Sequence, residues 1–287
     1  MSRRLVWRAP FGAVAAVTAV VACGGCGHLL GLDETTYSPH DGGTDATPDA
    51  SPDACGLACA APFASCRALA AAYPLAASGV YTLDAGTGTF HAYCDLTGDG
   101  GGWTLALKAD GSMTTFAYDA SIWQDATILA PGSPDLDRVE AKLETFNAVP
   151  FTEMRVGLEA PIGSNTIQWL VLPIAASRLR DLFAAPTATP TALGRDAWKS
   201  LLGTSASLQP NCNLEGIDVS TAYQHVRIGI IANNELDCAT PDSRLGIGAN
   251  PVGQCGVGVP ETTGNASCYG GDNGDVSIAA FGWIEVR

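Results

Sequence analysis

Residues Tyr93–Gly111 read YCDLTGDGGGWTLALKADG. A cysteine closes a stretch that alternates as a strand, an acidic loop follows, and Gly100, Gly101 and Gly102 precede Trp103. Three readings compete for this run: a catalytic or phosphate-holding loop, a metal loop, and a turn too crowded for side chains. A phosphate cradle opens a helix and carries Lys or Ser behind its glycines. Here GWTLALK alternates as a strand instead. The crowded turn prevails, because only glycine combines unusual φ with close backbone approach while Trp103 enters the core. Asp95, Asp99 and Asp110 read as turn formers before ligands.

Outward from this stretch the local signals are legible. Ser65 caps a helix over CRALAAAY, and GVYTL and TFHAYCD alternate as strands around a turn at Asp84–Gly88. Leu136, Val139, Leu143 and Phe146 in DLDRVEAKLETFN stand at helical spacing. MRVGLEA and TIQWLVL form a hairpin through PIGSN, and RDAWKSLLG is a helix that Gly203 terminates. HVRIGIIAN and IAAFGWIEVR are strands, the second closing the chain. Gly-rich irregular loops fill 204–224 and 234–275. The expected class is α+β.

Composition limits the partners. The chain has 287 residues, 47% apolar and 15% charged, with formal charge −14. That excess of carboxylates excludes nucleic acid, whose phosphates need clustered Lys and Arg. Residues 1–22 have a basic start (MSRRLVWR), a short apolar run and small residues, the form of an export signal. Val20, Val21 and Ala22 before Cys23 resemble the lipobox of bacterial lipoproteins, which implies a lipid on Cys23; cleavage without lipidation is the alternative. Residues 33–54 hold six acidic residues, no Lys or Arg and little to bury, so 23–54 reads as a lipidated start and an extended acidic tether. Beyond Cys23 and Cys26 remain Cys55, Cys59, Cys66, Cys94, Cys212, Cys238, Cys255 and Cys268. An even number behind an export signal favours disulfides over zinc.

The order Ser65-Cys66, GVYTL, YCDLTGDGGGWTL resembles the opening of the fibrinogen-like C-terminal domain. The resemblance implies one such domain over 55–287: a small disulfide-stapled N-terminal subdomain, a central, mainly antiparallel twisted sheet and a loop-rich C-terminal part. It also implies a Cys66–Cys94 bond. VRIGIIANNELDCATPDSRLGIGANPVGQC is similar to the intelectin branch (X-type lectins), implying a Cys238–Cys255 bond; elimination then offers Cys212 with Cys268 and Cys55 with Cys59, pairings that sequence leaves open. Intelectins bind sugar diols through a protein-held calcium ion. Carried over, Asn250, Glu261 and Asp272 match its ligands, with Asn233 and Glu235 as further oxygen donors; Asn250, Glu261 and Tyr269 would contact the carbohydrate. This chain departs from the intelectin loop by having Val252–Gly253 where the family has Glu-His. Asn233, Asn234, Glu235, Asp237, Asp242, Asp272, Asn273 and Asp275 make two oxygen-rich loops that suit calcium or, read locally, turns and Asx caps.

No G-x-S-x-G elbow, H-E-x-x-H helix or phosphate loop occurs in the chain. His91 and His225 lie in strand patterns, and the tryptophans beyond the export signal have apolar neighbours that suit core packing. The expectation is a non-catalytic recognition module, anchored at the cell envelope (outer membrane or cell surface) or secreted, that binds extracellular glycans or cell-surface ligands through calcium. The alternative is a structural or protein-binding surface lipoprotein with a purely structural calcium ion.

Overall fold

Helix α1 (Cys66–Ala72) starts where Ser65, extended at φ −161°, accepts a hydrogen bond on Oγ from Ala68 N at 3.2 Å, the expected N-cap. Cys66 is bonded to Cys94, which fastens the helix to strand β2 (Thr89–Asp95). Strand β1 (Gly79–Asp84) pairs antiparallel with β2. The turn between them closes as Asp84 Oδ1 accepts from Gly86 N at 2.8 Å and Gly88 N at 3.3 Å. These elements come from a computed structural model that describes residues 62–250 and 261–287. The expected export signal, lipid site Cys23 and tether, together with Cys55, Cys59, Val252, Gly253 and Cys255, lie outside the described residues.

Strand β3 (Trp103–Asp110) follows the triple glycine. The first sheet runs β1-β2-β3-β13-β5-β6, with β13 (Phe281–Val286), β5 (Met154–Glu159) and β6 (Gln168–Leu172), while β4 (Ala141–Lys142) pairs with β3. The C-terminal strand is thus the centre of the sheet. The second sheet runs β12-β11-β10-β9-β8-β7: β12 (Val276–Ala279), β11 (Thr263–Ser267), β10 (Ser243–Ala249), β9 (His225–Asn233), β8 (Asn211–Ser220) and β7 (Thr189–Pro190). Every strand pair in both sheets is antiparallel.

One apolar cluster joins the sheets: Leu107, Val156 and Ile284 from the first meet Ile217, Ile228, Ile230, Leu245 and Ile247 from the second, with Trp123, Phe146 and Phe183 among them. Period-two alternation sends Phe281 and Trp283 of β13 to the opposite face, onto Leu83, Cys94 and Leu105. Each large side chain buried there stabilises the fold by roughly 1.5–3 kcal/mol.

Sheet dominates the described residues. The helices α2 (Glu144–Ala148), α3 (Leu179–Phe183) and α4 (Arg195–Lys199) have five residues each, and no described helix is long and apolar enough to cross a membrane. The long helix expected over 135–147 shrinks to α2. Its first half folds otherwise because Asp135 and Asp137 accept the backbone N–H groups of Asp137 and Val139, local bonds that compete with helix. Lys108 then ion-pairs with Asp137, and Ala141–Lys142 joins β3.

The loop-rich C-terminal part is corrected in part, since β8 crosses 204–224 and β10 and β11 cross 234–275. The reason is a row of glycines in register across four strands: Gly216 opposite Gly229, Gly229 opposite Gly246, Gly246 opposite Gly264. A Cβ on Gly246 would stand 2.0 Å from the Ile228 carbonyl oxygen. Glycine here marks close approach of backbones within a sheet.

Disulfide pairing also departs from expectation: Cys212 is bonded to Cys238. The Cys212–Cys268 and Cys238–Cys255 pairings are therefore excluded. Pairing of Asn211 with Asn233 across β8 and β9 brings Cys212 beside the loop that follows β9, with Cα atoms 5.2 Å apart. Cys268 is disulfide-bonded as well.

Gly100, Gly101 and Gly102 have φ of 86°, 72° and 79°, and a Cβ on Gly101 would lie 2.2 Å from the Leu96 carbonyl oxygen. The loop they form is held from below. Arg155 on β5, 1% exposed, lies over Trp103 at 4.8 Å and Trp169 at 4.1 Å. It donates to Glu285 at 2.7 Å, Asp95 at 2.6 Å and Asp99 at 2.9 Å. Arg287 covers Trp103 at 4.2 Å and donates to the carbonyls of Asp99 and Gly101.

Burial pushes the Glu285 carboxyl up to about 7 against the pull of Arg155, with Asp95 and Asp99 adding to the rise. Burial also opposes ionisation of Asp95, but bonds from Gly98 N, Arg155 and Thr97 N hold that carboxyl at about 2. Replacing Arg155→Ala leaves these carboxylates unpaired and is expected to cost about 3–5 kcal/mol in urea unfolding. The raised Glu285 favours folding below the ordinary glutamate value, and that contribution is lost as pH rises through about 7. Glu285→Gln will accordingly flatten the decline of the urea midpoint across that interval; an unchanged slope would contradict the assignment.

Candidate functional site

Of the expected cation ligands, Asn250 and Glu261 meet around Arg244, and Asp272 is engaged elsewhere. Strand β10 ends at Ala249, and Asn250 turns its amide back: Oδ1 accepts from His225 N at 3.1 Å and Nδ2 donates to Tyr223 O at 3.4 Å. Glu261, just before β11, is 3% exposed. It accepts from Ser277 Oγ and faces Arg244 Nη2 at 3.6 Å. The same Nη2 donates to Asn250 O at 3.0 Å, and Nη1 donates to Gln224 Oε1 at 2.6 Å. Asn250 and Glu261 are therefore brought together, with the guanidinium of Arg244 between them. Burial lowers Arg244 to about 10, which leaves it charged at neutral pH.

Asp272 stands apart from this pair. It pairs with Arg195 at 2.7 Å and with Lys199, and accepts from Leu208 N at 3.1 Å. Burial works against its ionisation, but Lys199, Arg195 and Leu208 N hold the carboxyl at about 2. Asn233 is buried, donating to Asp237 O at 2.8 Å and accepting from Asn234 N at 3.0 Å. Glu235 is exposed, and Tyr269 is 67% exposed.

Among the described residues no three His, Cys, Asp or Glu side chains gather to hold a metal ion. These residues do not fit calcium as arranged: the acidic ligands that are buried or paired already have cationic partners, and Arg244 holds the place between Asn250 and Glu261. A divalent ion there would meet a fixed positive charge.

A different part of the second sheet offers an open site. A cleft of about 770 Å³ lies beside β8, bounded by 118–124 and 185–190. Its size is within the range of small-molecule sites. Glu215 forms part of its lining and is fully occupied, accepting from Trp198 Nε1 at 2.7 Å, Thr191 Oγ1 at 2.8 Å, Gly194 N at 2.9 Å and Leu193 N at 3.0 Å. Burial opposes these bonds, yet together they lower its carboxyl below the usual range.

Above it Arg227, 6% exposed, donates from Nε to Tyr118 O and from Nη1 to Asp218 Oδ1, each at 2.6 Å. The guanidinium lies 4.5 Å from the centre of the Tyr118 ring. Tyr118 also stacks on His225 at 5.0 Å, and His225 Nδ1 shares a hydrogen bond with Ser220 Oγ at 2.7 Å. Asp218 has φ 55°, an uncommon backbone state for a residue with a side chain. Burial raises its carboxyl even with Arg227 attached. Gly248 makes room for this arrangement: a Cβ there would meet Trp123 at 2.6 Å and Arg227 Cβ at 2.7 Å.

Sequence reading missed this site, although a signal was present. Arg227 interrupts an otherwise apolar strand, HVRIGIIAN, and Asp218 interrupts GIDVS. A charge placed in a buried strand requires a partner, and these two residues are each other's.

No protein-family model matches the chain, and no curated protein matches it. Among the solved structures similar to it is the fibrinogen-like globe domain of human ANGPTL6, 23% identical, with a TM-score of 0.29, covering 39% of this chain and 49% of that one. The chain thus spans about half the length of that neighbour.

The reassignment of Asp272 from cation ligand to ion-pair partner has a measurable consequence. Asp272→Asn is expected to lower the melting temperature by about 2–4 °C, the equivalent of ~1 kcal/mol in a domain of this size. Because the folded carboxyl is held at about 2, the wild-type advantage is present above the ordinary aspartate value and lost as pH falls through about 2. Calcium and chelator should leave the melting temperature of both proteins unmoved in scanning calorimetry. A calcium-dependent rise that vanishes in Asp272→Asn would restore the metal role.

Proposed function

We propose that this chain is an exported, lipid-anchored recognition domain of fibrinogen-like type that binds carbohydrate without catalysing a reaction. One observation carries the reading: an open cleft lined by residues that include Tyr118, Asp119, Asp218 and Arg227, so that carboxylates and a guanidinium border the same space. Sugars present both hydrogen-bond donors and acceptors on every hydroxyl, so a site that offers both suits them. The net negative charge of the chain disfavours polyanionic partners.

The two disulfides among described residues, Cys66–Cys94 and Cys212–Cys238, support an oxidising compartment outside the cytoplasm. Export and anchoring rest on residues 1–22 and Cys23.

A glycan panel probed with the detergent-solubilised chain tests the binding claim, in calcium and in chelator alike. The expected result is capture of a restricted set of glycans in both conditions. Capture only in calcium would favour the Asn250–Glu261–Tyr269 reading, and no capture in either would defeat carbohydrate recognition. Anchoring is tested separately by labelling cells with a radioactive fatty acid: label should appear on the wild type and disappear in Cys23→Ala.

A further inference from the structure

Three strand arginines are buried among carboxylates, and only one of them faces open space. Arg155 is enclosed by Asp95, Asp99, Glu285 and two indoles. Arg244 is enclosed by Gln224, Asn250 O and Glu261. Arg227 lines the cleft, with Nε and Nη1 engaged. Neither Arg227 Nη2 nor Asp218 Oδ2 has a hydrogen-bond partner among the described residues, and neither belongs to the sealed polar atoms of the interior. One donor and one acceptor, from two groups already bonded to one another, therefore remain available to a ligand.

We infer that the Arg227–Asp218 pair reads two adjacent free hydroxyls of a neutral sugar, one accepting from Arg227 and its neighbour donating to Asp218, with no metal ion between protein and ligand. The inference rests on the carbohydrate reading above and supplies its site and ligand class. Each of the two bonds has a charged partner, which makes it shorter and stronger than a neutral one. The geometry is set before the ligand arrives: Tyr118 O and the Tyr118 ring fix the guanidinium, so little ordering is needed on binding.

The choice of a neutral sugar follows from the charges lining the cleft. Asp119, Glu215 and Asp218 face a single guanidinium, and an acidic sugar would meet that surplus of negative charge without an unpaired cation to receive it. The strained φ of Asp218, 55°, is the kind of backbone cost that persists where a side chain must be aimed.

Saturation-transfer NMR on the detergent-solubilised full chain, in chelator, tests this with methyl glycosides of mannose, galactose and glucose, their deoxy analogues lacking one of two adjacent hydroxyls, and a methyl glucuronide. Wild-type protein should saturate at least one neutral glycoside, with its deoxy analogue and the glucuronide bound more weakly. Asp218→Asn removes the charge while Asn tolerates the left-handed backbone; Arg227→Lys keeps the charge but loses the planar fork. Each should weaken binding by roughly tenfold or more, with thermal unfolding checked in parallel.

If both variants fold and bind within about twofold of wild type, the pair is not the reader, although carbohydrate recognition would stand at another place. Equal binding of glycoside and deoxy analogue would likewise overturn the adjacent-hydroxyl claim. If wild type saturates no glycoside, this inference and the functional reading beneath it fall together.

Discussion

Arg155 is a full positive charge taken out of water, and the first sheet is arranged to keep it satisfied. Removing a guanidinium from solvent costs several kcal/mol unless carboxylates and good geometry return the loss. Asp95 ends β2, Asp99 comes from the loop after it, and Glu285 comes from β13, the central strand of the sheet. The requirement thereby ties β5 to β13 and both to the triple-glycine loop. Trp103 lies between the guanidinium groups of Arg155 and Arg287, and its indole N–H donates to Gly98 O. The glycines allow the loop to fold down onto this stack, where a Cβ on Gly101 would collide with the Leu96 carbonyl oxygen.

The second sheet solves a different problem. Its strands carry glycine at matching positions, so four backbones pass close together along one row. A second irregularity shows at Asp218, which takes a left-handed backbone between Ile217 and Val219. Those neighbours stay in register with Ile228 and Val226 across β9. Asp218 is thereby presented to Arg227, and the pair to the cleft. The residue that disturbs the regularity of this sheet is also the one whose carboxylate pairs with Arg227 at the edge of the cleft.

The buried arginines show how a shared residue type divides by surroundings. Around Arg155 every donor direction meets a carboxylate or an indole. Around Arg244 an amide oxygen, a backbone carbonyl and Glu261 engage the two terminal nitrogens while Nε stays buried without a hydrogen-bond partner among the described residues, and the guanidinium stands between Asn250 and Glu261. Around Arg227 one side stays open. Chemistry of the side chain is the same in all three; closure of the surrounding wall separates a structural charge from one available to a ligand.

Much of the first sheet was legible along the chain. The Ser65 cap, the β1–β2 turn, the glycine turn before Trp103, the β5–β6 hairpin and the strand at His225–Asn233 all arise from short-range rules: a hydroxyl that accepts a nearby N–H, alternation of side chains, glycine where Cβ would collide. The long helix over 135–147 failed because Asp135 and Asp137 compete locally for backbone N–H groups. The strands within 204–275 were hidden because glycine signals a loop when its cross-strand neighbours are unknown. Cysteine partners, the fate of Asn250, Glu261 and Asp272, and the Arg227–Asp218 pair were decided only in three dimensions. A charge or a thiol is indifferent to sequence distance; its energy depends on what stands within a few ångströms, and the sheet register sets that.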